Sequence, residues 1–132
     1  MTNNSGIVTI PADKGVAEII TRLTDILQSH GVTIYARIDQ KAEAEKAGLS
    51  LKPLELLIFG NPKGGIPLMQ QEPLTGLDLP LKAMAWEDQD GKTWLSYNSF
   101  SYLQERYSLP DHLILAVSAV EKLIKQAALT LP

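Results

Sequence analysis

The chain of 132 residues has the length of one domain, with 45% hydrophobic and 20% charged residues and no cysteine. This composition is typical of a folded globular domain, and it excludes disulfide scaffolds, zinc–thiolate sites, iron–sulfur clusters and thiol nucleophiles. The net charge of −3 and the pI of about 5.3 argue against non-specific nucleic-acid binding, which needs a basic surface.

The N-terminal segment MTNNSG is polar, and we expect residues 1–5 to form a disordered lead before a single α+β domain over residues 6–132. The segment has no basic region followed by an apolar run, which a signal peptide needs. No apolar stretch approaches the roughly 18 residues that span a membrane. These features predict a cytoplasmic protein that does not engage a membrane.

The first third of the chain predicts a strand, a helix and a second strand. Residues 6–10 are largely β-branched and precede Pro11, which is expected to end the strand. Asp13 is a candidate N-cap for a long helix, because an apolar stripe with three- and four-residue spacing follows it. Gly31 is expected to end that helix. Residues 32–39 alternate between apolar and polar side chains, as in a half-buried strand.

The middle of the chain predicts short helices around an interior strand. Residues 41–47 are rich in Ala, Glu and Lys and predict a short helix. Residues 54–59 are mostly apolar and predict the interior strand. The glycine-rich segment 60–65 is expected to be a turn, followed by a short helix around residues 67–71. Residues 72–80 hold two prolines and a glycine and are expected to be irregular.

The last third predicts a hairpin followed by helices. Residues 81–87 and 92–98 are predicted strands, joined by a turn whose Asp90–Gly91 pair suits a hairpin. Residues 100–106 predict one or two helical turns, and Pro110 lies among start signals for one last long helix. The order strand, helix, four strands, helix predicts an α+β fold with two long helices on one face of a mainly antiparallel sheet.

Several stretches, in order along the chain, carry a resemblance to a known family. They are Arg37-Ile38-Asp39, Leu56–Pro62, Pro67–Gln70, Gly76–Lys82, Trp86-Glu87-Asp88 and Trp94–Asn98. Together they resemble the bacterial family called domain of unknown function 302, or TT1751-like. The resemblance implies a β-α-β(4)-α topology similar to TATA-binding-protein-like domains, and a homodimer. It implies no established activity.

Two positions depart from the pattern of that family. Similar proteins usually carry a histidine after the Ile-Asp pair and often another after the arginine, whereas this chain has Gln40 and Tyr107. A metal-binding or acid–base role that depends on those histidines is therefore not carried over to this chain.

The segment Gly60-Asn61-Pro62-Lys63-Gly64-Gly65 allows two interpretations. Glycines that admit close backbone approach, together with a lysine, suit an anion-binding loop. The segment lacks the spacing of a P-loop or a dinucleotide fingerprint, however. The favoured interpretation is a strand-to-helix turn that needs glycine and proline.

Strand alternation places Tyr35, Arg37 and Asp39 on one face. A carboxylate beside an arginine stays charged, which makes Asp39 a weak general base at neutral pH. We favour a structural ion pair between Arg37 and Asp39 at a strand end or a dimer contact.

Neither the acidic residues of the hairpin nor the histidines predict a metal site. Glu87, Asp88 and Asp90 crowd the turn, but they do not match a calcium-loop pattern, and Asp is common in solvated turns. His30 and His112 are the only histidines, and without cysteine they do not supply a zinc site made of nitrogen and sulfur ligands. No metal is assigned.

The predicted hairpin gathers aromatic and polar side chains on one sheet face. The residues that alternation places there are Lys82, Met84 and Trp86 on the first strand and Trp94, Ser96 and Asn98 on the second. An apolar surface with a few polar anchors suits a ligand platform. It also suits a dimer interface, in which Trp and Met are enriched, and the resemblance favours the interface.

These observations lead to the hypothesis of a homodimer that binds a small anionic or aromatic molecule. The candidate binding residues are Asp39, Asn61, Lys63, Lys82, Trp86 and Asn98. Two alternatives stay open: a structural or stress-associated interaction module without a ligand, and an enzyme that uses Asp39 or Glu87 as general acid or base. No cofactor is assigned.

Overall fold

The computed structural model describes residues 5–129, which form a five-stranded antiparallel sheet with helices packed against it. The strands are β1 (Ile7–Ala12), β2 (Thr33–Asp39), β3 (Leu54–Gly60), β4 (Leu81–Glu87) and β5 (Thr93–Asn98), in the spatial order β1-β5-β4-β3-β2. The helices are α1 (Val16–Ser29), α2 (Gln40–Lys46), α3 (Pro62–Gln71), α4 (Phe100–Tyr107), α5 (Asp111–Ser118) and α6 (Val120–Ala128). The predicted α+β class is confirmed. Apart from Ser5, the predicted lead lies outside the described residues.

The prediction that Pro11 ends the first strand is wrong, because β1 continues to Ala12. β1 lies at the edge of the sheet, and Pro11 lies opposite Trp94 of β5. An edge strand has one side without a ladder partner, so it tolerates a residue that lacks a backbone N–H.

The start of α1 also differs from the prediction. The N-cap is Gly15, and no side chain caps the helix. Asp13 instead accepts a hydrogen bond at 2.8 Å from Nη1 of Arg22, nearly two turns into the helix. The apolar stripe itself is confirmed, and its fully buried members are Ile19, Ile20, Leu23 and Leu27.

The third helix begins earlier than the sequence suggested. Asn61 is its N-cap, and Oδ1 of Asn61 accepts a hydrogen bond at 3.0 Å from the backbone N–H of Lys63. Pro62 is the first helical residue, a position where its missing N–H costs nothing. The predicted turn over residues 60–65 is therefore mostly the first turn of α3, and Pro67 lies inside the helix.

The last predicted helix forms as two helices, α5 and α6, joined at Ala119. Segment 72–80, which was expected to be irregular, contains a short 3-10 helix over Pro73–Leu77. The Leu79–Pro80 peptide bond is cis.

The core lies between the sheet and helices α1 and α6. Helix α1 packs across β3 and β4 and against α6, which also contacts β1. The sheet residues buried on this side are Val8, Leu57, Phe59, Ala83, Ala85, Leu95 and Tyr97. The small side chains of β4 let a helix approach the centre of the sheet closely.

A hydrogen bond between Tyr97 and Glu121 links the sheet to α6 and makes stability sensitive to high pH. The Tyr97 hydroxyl donates to Oε2 of Glu121 at 2.6 Å. Burial and this carboxylate raise the pKa of Tyr97 well above its ordinary value of 10.0. A group whose pKa is raised on folding stabilises fully below its unfolded pKa, and that contribution is lost as the pH rises further.

We therefore expect the free energy of unfolding to fall above about pH 10, and to fall less steeply in Tyr97→Phe. Urea denaturation near pH 8 and near pH 11 measures both slopes. Tyr35→Phe, which changes an exposed tyrosine, is the control and keeps the wild-type slope. Equal alkaline losses in the wild type and Tyr97→Phe contradict the assignment.

Candidate functional site

The sheet face turned away from α1 and α6, here called the open sheet face, carries large apolar side chains. Its central positions are Leu54, Leu56 and Ile58 on β3, Lys82, Met84 and Trp86 on β4, and Trp94, Ser96 and Asn98 on β5. All of them except Ser96 are partly or fully exposed. Antiparallel sheets that face water carry mostly polar residues on that side, and a contiguous exposed apolar surface is typical of an interaction site.

Two tryptophans cover one end of the open sheet face. Trp86 and Trp94 are cross-strand partners, and their stacked rings have centroids 6.4 Å apart. Nε1 of Trp86 donates to Oγ of Ser96 at 2.9 Å, and Nε1 of Trp94 donates to Oδ2 of Asp88 at 2.8 Å. Both indole N–H groups thus have partners within the chain, and the rings are the parts left for a ligand or a second subunit.

A cavity of about 200 Å³ lies toward the other end of the open sheet face. Lys82, Asn98 and Ser96 provide its polar groups, and Met84 and Leu56 are among its apolar walls. Nζ of Lys82 has a long contact of 3.5 Å with the Pro80 carbonyl oxygen. The structure therefore brings together two predicted binding residues, Lys82 and Asn98, with Trp86 on the same sheet face.

Asp39 and Glu87 are the two carboxylates considered as general acid or base. Both lie away from the Lys82 cavity. Asp39 ends β2 and caps α2, with its Oδ1 accepting from the backbone N–H of Ala42 at 3.0 Å. Glu87 ends β4, with Oε2 at 4.0 Å from Nζ of Lys52. Neither residue lines the cavity that contains Lys82.

The remaining two predicted binding residues lie at the start of α3. Lys63 lies exposed in the first turn of the helix, outside the lining of the Lys82 cavity. Asn61 caps the helix and lines two other cavities, of about 280 and 300 Å³. The predicted set of six residues is thus divided between separate places on the molecule.

Arg37 pairs with Glu55 and not with Asp39. Nε of Arg37 donates to Oε1 of Glu55 at 2.7 Å, and the guanidinium also donates to the Thr21 hydroxyl at 2.9 Å and the Ala17 carbonyl at 3.0 Å. The last two partners belong to α1. The pair joins β2, β3 and α1 and is structural. A bulge in β2 interrupts the strand alternation beside Tyr35.

The carboxylate of Asp88 accepts hydrogen bonds from backbone N–H groups of its own hairpin turn. Oδ1 accepts from the backbone N–H groups of Asp90 and Lys92, both at 2.9 Å. The indole N–H of Trp94 and these backbone donors lower the pKa of Asp88. Within residues 5–129 no group of three or more His, Asp or Glu side chains is arranged to hold a metal ion.

We expect Trp94→Phe to raise the pKa of Asp88 toward its ordinary value, because the largest stabilisation of the carboxylate comes from the indole N–H. The protein then loses stability at a higher pH during acidification, since a carboxylate with a lowered pKa stabilises only while it is ionised. NMR titration of the Asp88 carboxyl carbon measures the change. An unchanged pKa contradicts the role given to Trp94.

A charged cluster centred on Asp78 had no local signal in the sequence. Oδ2 of Asp78 accepts from Nη1 of Arg106 at 2.9 Å and from the Tyr107 hydroxyl at 2.5 Å. Arg106 also donates to the Tyr102 hydroxyl and lies over both tyrosine rings. Burial and Asp78 raise the pKa of Tyr107. Tyr107, where similar proteins often have histidine, thus holds α4 against the segment before β4.

Fold and surface together define an α+β domain with one sheet face buried under helices and the other apolar and exposed. The chain belongs to the DUF302 family: the family model described as "Domain of unknown function DUF302" matches residues 8–130. The crystal structure of the uncharacterized conserved protein DUF302 from Bacillus stearothermophilus has the same fold. The two superpose with a TM-score of 0.77 at 21% identity, covering 93% of this chain and 95% of that one.

Curated relatives in Brucella carry a similar segment. A protein named fluoride-specific ion channel FluC 1 from Brucella suis is 44% identical over 117 residues, which cover 89% of this chain and 46% of that protein. A protein of the same name from Brucella abortus matches at the same identity over 43% of its length. The chain therefore spans just under half the length of these relatives. Among the helices of residues 5–129, none combines the length and apolar character needed to cross a membrane.

Proposed function

We propose that the chain is a cytoplasmic homodimeric domain that binds a small organic anion at its open sheet face. One observation carries the proposal. The same exposed face holds a continuous set of apolar side chains and a cavity with an ammonium and an amide group. The first feature suits a second subunit, and the second suits an anionic ligand.

A second copy of the chain is the partner that the open sheet face fits best. Lys82 is the single charged residue among its nine central positions, and the cores of subunit interfaces are depleted in charge and rich in aromatic residues and Met. Two copies of this face can meet around a twofold axis with little electrostatic repulsion. The family resemblance, which implies a homodimer, points the same way.

The cavity beside Lys82 suits a carboxylate attached to a compact apolar group. The Lys82 ammonium and the Asn98 amide supply donors to an anion, and a charge-assisted hydrogen bond is about twice as strong as a neutral one. Met84 and Leu56 supply an apolar wall. A second subunit covering the open sheet face would exclude water from the cavity and strengthen these interactions.

Sedimentation equilibrium tests the association. We expect the wild type to be a dimer and Met84→Asp to be a monomer, because an unpaired carboxylate would be buried at the centre of the interface. Leu77→Asp is the control: Leu77 is 70% exposed and lies outside the sheet, so this variant stays dimeric. A monomeric wild type, or a Met84→Asp dimer of unchanged affinity, contradicts the proposed interface.

Isothermal titration calorimetry with benzoate tests the ligand. Lys82→Met keeps the length and apolar stem of the side chain but removes its charge, and we expect a loss of affinity of roughly tenfold or more. Lys63→Met removes a lysine outside the cavity and is expected to bind as the wild type does. No binding of benzoate rejects an organic anion as the ligand, and equal losses in both variants reject this site.

Fluoride is the second probe, because the Brucella relatives are named as fluoride-specific channels. Fluoride NMR reports its binding with the same two variants. Fluoride binding that depends on Lys82, without benzoate binding, would replace the organic anion by a halide in the proposed cavity.

A further inference from the structure

The two cavities beside Asn61 form a groove on the helix side of the molecule. They have volumes of about 280 and 300 Å³ and share Asn61, Leu81 and Val117 as lining residues. Each is close to the lower end of the range for small-molecule sites, roughly 300–1,000 Å³. Because they share these residues, the two cavities lie side by side. None of the shared residues belongs to the open sheet face.

A close contact between α3 and α5 builds the wall of this groove. A Cβ added at Gly64 would lie 2.8 Å from the carbonyl oxygen of Ala116 and 3.3 Å from Cγ1 of Val117. The absence of a side chain at residue 64 thus lets the first turn of α3 rest on the backbone of α5. This contact holds Asn61, at the start of α3, near Val117 of α5, and both residues line the groove.

The groove is lined mainly by aliphatic side chains. Ile66, Met69 and Leu79 line the part next to α3, and Val120 and Leu123 line the part next to α6. Methionine is flexible and adapts to the shape of an apolar ligand. An aliphatic and partly adaptable wall fits an alkyl chain better than a rigid ring system.

The charged groups at the rim of the groove are basic. His30 and Lys122 are the basic groups among the described lining residues, Tyr35 is the one phenol, and no carboxylate lines either cavity. The side-chain oxygen of Asn61 accepts from Lys63, and its Nδ2 makes no hydrogen bond within residues 5–129. One end of the groove therefore offers a cation, and the middle offers a free amide donor.

We infer that this groove binds a medium-length alkyl carboxylate, with its chain along the aliphatic walls and its carboxylate at the Lys122 end. The site is separate from the Lys82 cavity and does not depend on the proposed function. Charge complementarity at the rim selects a carboxylate over a neutral alkyl compound of equal length.

Heteronuclear NMR with decanoate, kept below its micelle concentration, tests the inference. We expect saturable shifts of the backbone amides of Asn61, Val117 and Ala119, with the amides of Ser96 and Asn98 unaffected. Decanol, which has the same chain without the charge, is expected to bind about tenfold more weakly. Absence of shifts at the groove, or shifts confined to the open sheet face, overturns the inference.

Two pairs of variants locate the ligand. Ile66→Glu places a charge on the groove wall and Lys122→Glu reverses the charge of the rim, and each is expected to weaken decanoate binding at least about tenfold. Their controls are Leu115→Glu, an exposed leucine of α5 outside the lining, and Lys125→Glu on α6. Equal losses in variants and controls would mean that decanoate binds without using the groove. Loss in Lys82→Met would assign it to the other cavity.

Discussion

Arg37→Met is expected to lower the free energy of unfolding by about 3 kcal/mol, because it leaves the carboxylate of Glu55 without its cation. The Glu55 side chain is 9% exposed, and Nε of Arg37 lies 2.7 Å from its Oε1. The substitution also removes the guanidinium donors to Thr21 and the Ala17 carbonyl, which tie α1 to β2. Urea denaturation at one fixed protein concentration measures the loss, so that the proposed association contributes equally to each measurement.

The matched control for Arg37 is a surface pair of similar geometry. Nζ of Lys41 lies 2.6 Å from Oε1 of Glu45 on α2, with both side chains largely exposed. Lys41→Met is expected to change the free energy of unfolding very little, because water screens the pair. The double variant Arg37→Met with Glu55→Leu should recover part of the loss, because no buried charge remains. A loss in Arg37→Met no larger than that in Lys41→Met contradicts a structural role for the pair.

Gly64→Ala is expected to lower the free energy of unfolding by about 2 kcal/mol, although alanine has the higher helix propensity. The added Cβ would lie 2.8 Å from the backbone oxygen of Ala116, and backbone cannot move aside as a flexible side chain can. The next residue gives the opposite result. A Cβ at Gly65 meets nothing closer than Leu79 Cδ1 at 3.9 Å, so Gly65→Ala is expected to be neutral or to stabilise by up to about 1 kcal/mol.

Thermal and urea denaturation of the two alanine variants measure this difference. Equal stabilities of Gly64→Ala and Gly65→Ala would mean that α3 and α5 can move apart with little loss of folding free energy. Decanoate binding to Gly64→Ala adds a second readout, because moving α3 away from α5 changes the groove at Val117.

The sequence predicted those features of the fold that depend on residues close together in the chain. Alternation along residues 81–87 and 92–98 placed Lys82, Met84 and Trp86 on one face with Trp94, Ser96 and Asn98, as the register of the hairpin confirms. Gly91, with φ of 78°, takes the left-handed conformation that the Asp-Gly turn requires. The alternation pattern alone therefore predicted that Lys82 and Asn98 lie on the same sheet face as candidate site residues.

Contacts between residues distant in sequence were beyond the reach of such patterns. Glu55 interrupts a mostly apolar strand, and its partner Arg37 has a nearer carboxylate in sequence, Asp39. The need for glycine at residue 64 comes from the backbone of α5, which the chain reaches only some fifty residues later. The Asp78–Tyr107 hydrogen bond likewise joins elements separated by 29 residues.

Helix capping explains why Asp39 and Asn61 were selected as binding residues. Asp and Asn are favoured both at ligand sites and at helix N-caps, and in this chain both residues are caps. In each residue one side-chain oxygen accepts a backbone hydrogen bond and holds the helix end. A sequence pattern does not separate the two uses until the helix boundaries are known.

Native mass spectrometry of the untagged protein with benzoate tests the central proposal most directly, because it reports subunit number and bound ligand together. We expect a dimer that carries one benzoate per subunit, and a Lys82→Met dimer that carries far less benzoate. A protein that sprays as single chains, or a Lys82→Met dimer that retains as much benzoate as the wild type, would contradict a homodimer with its ligand on the open sheet face.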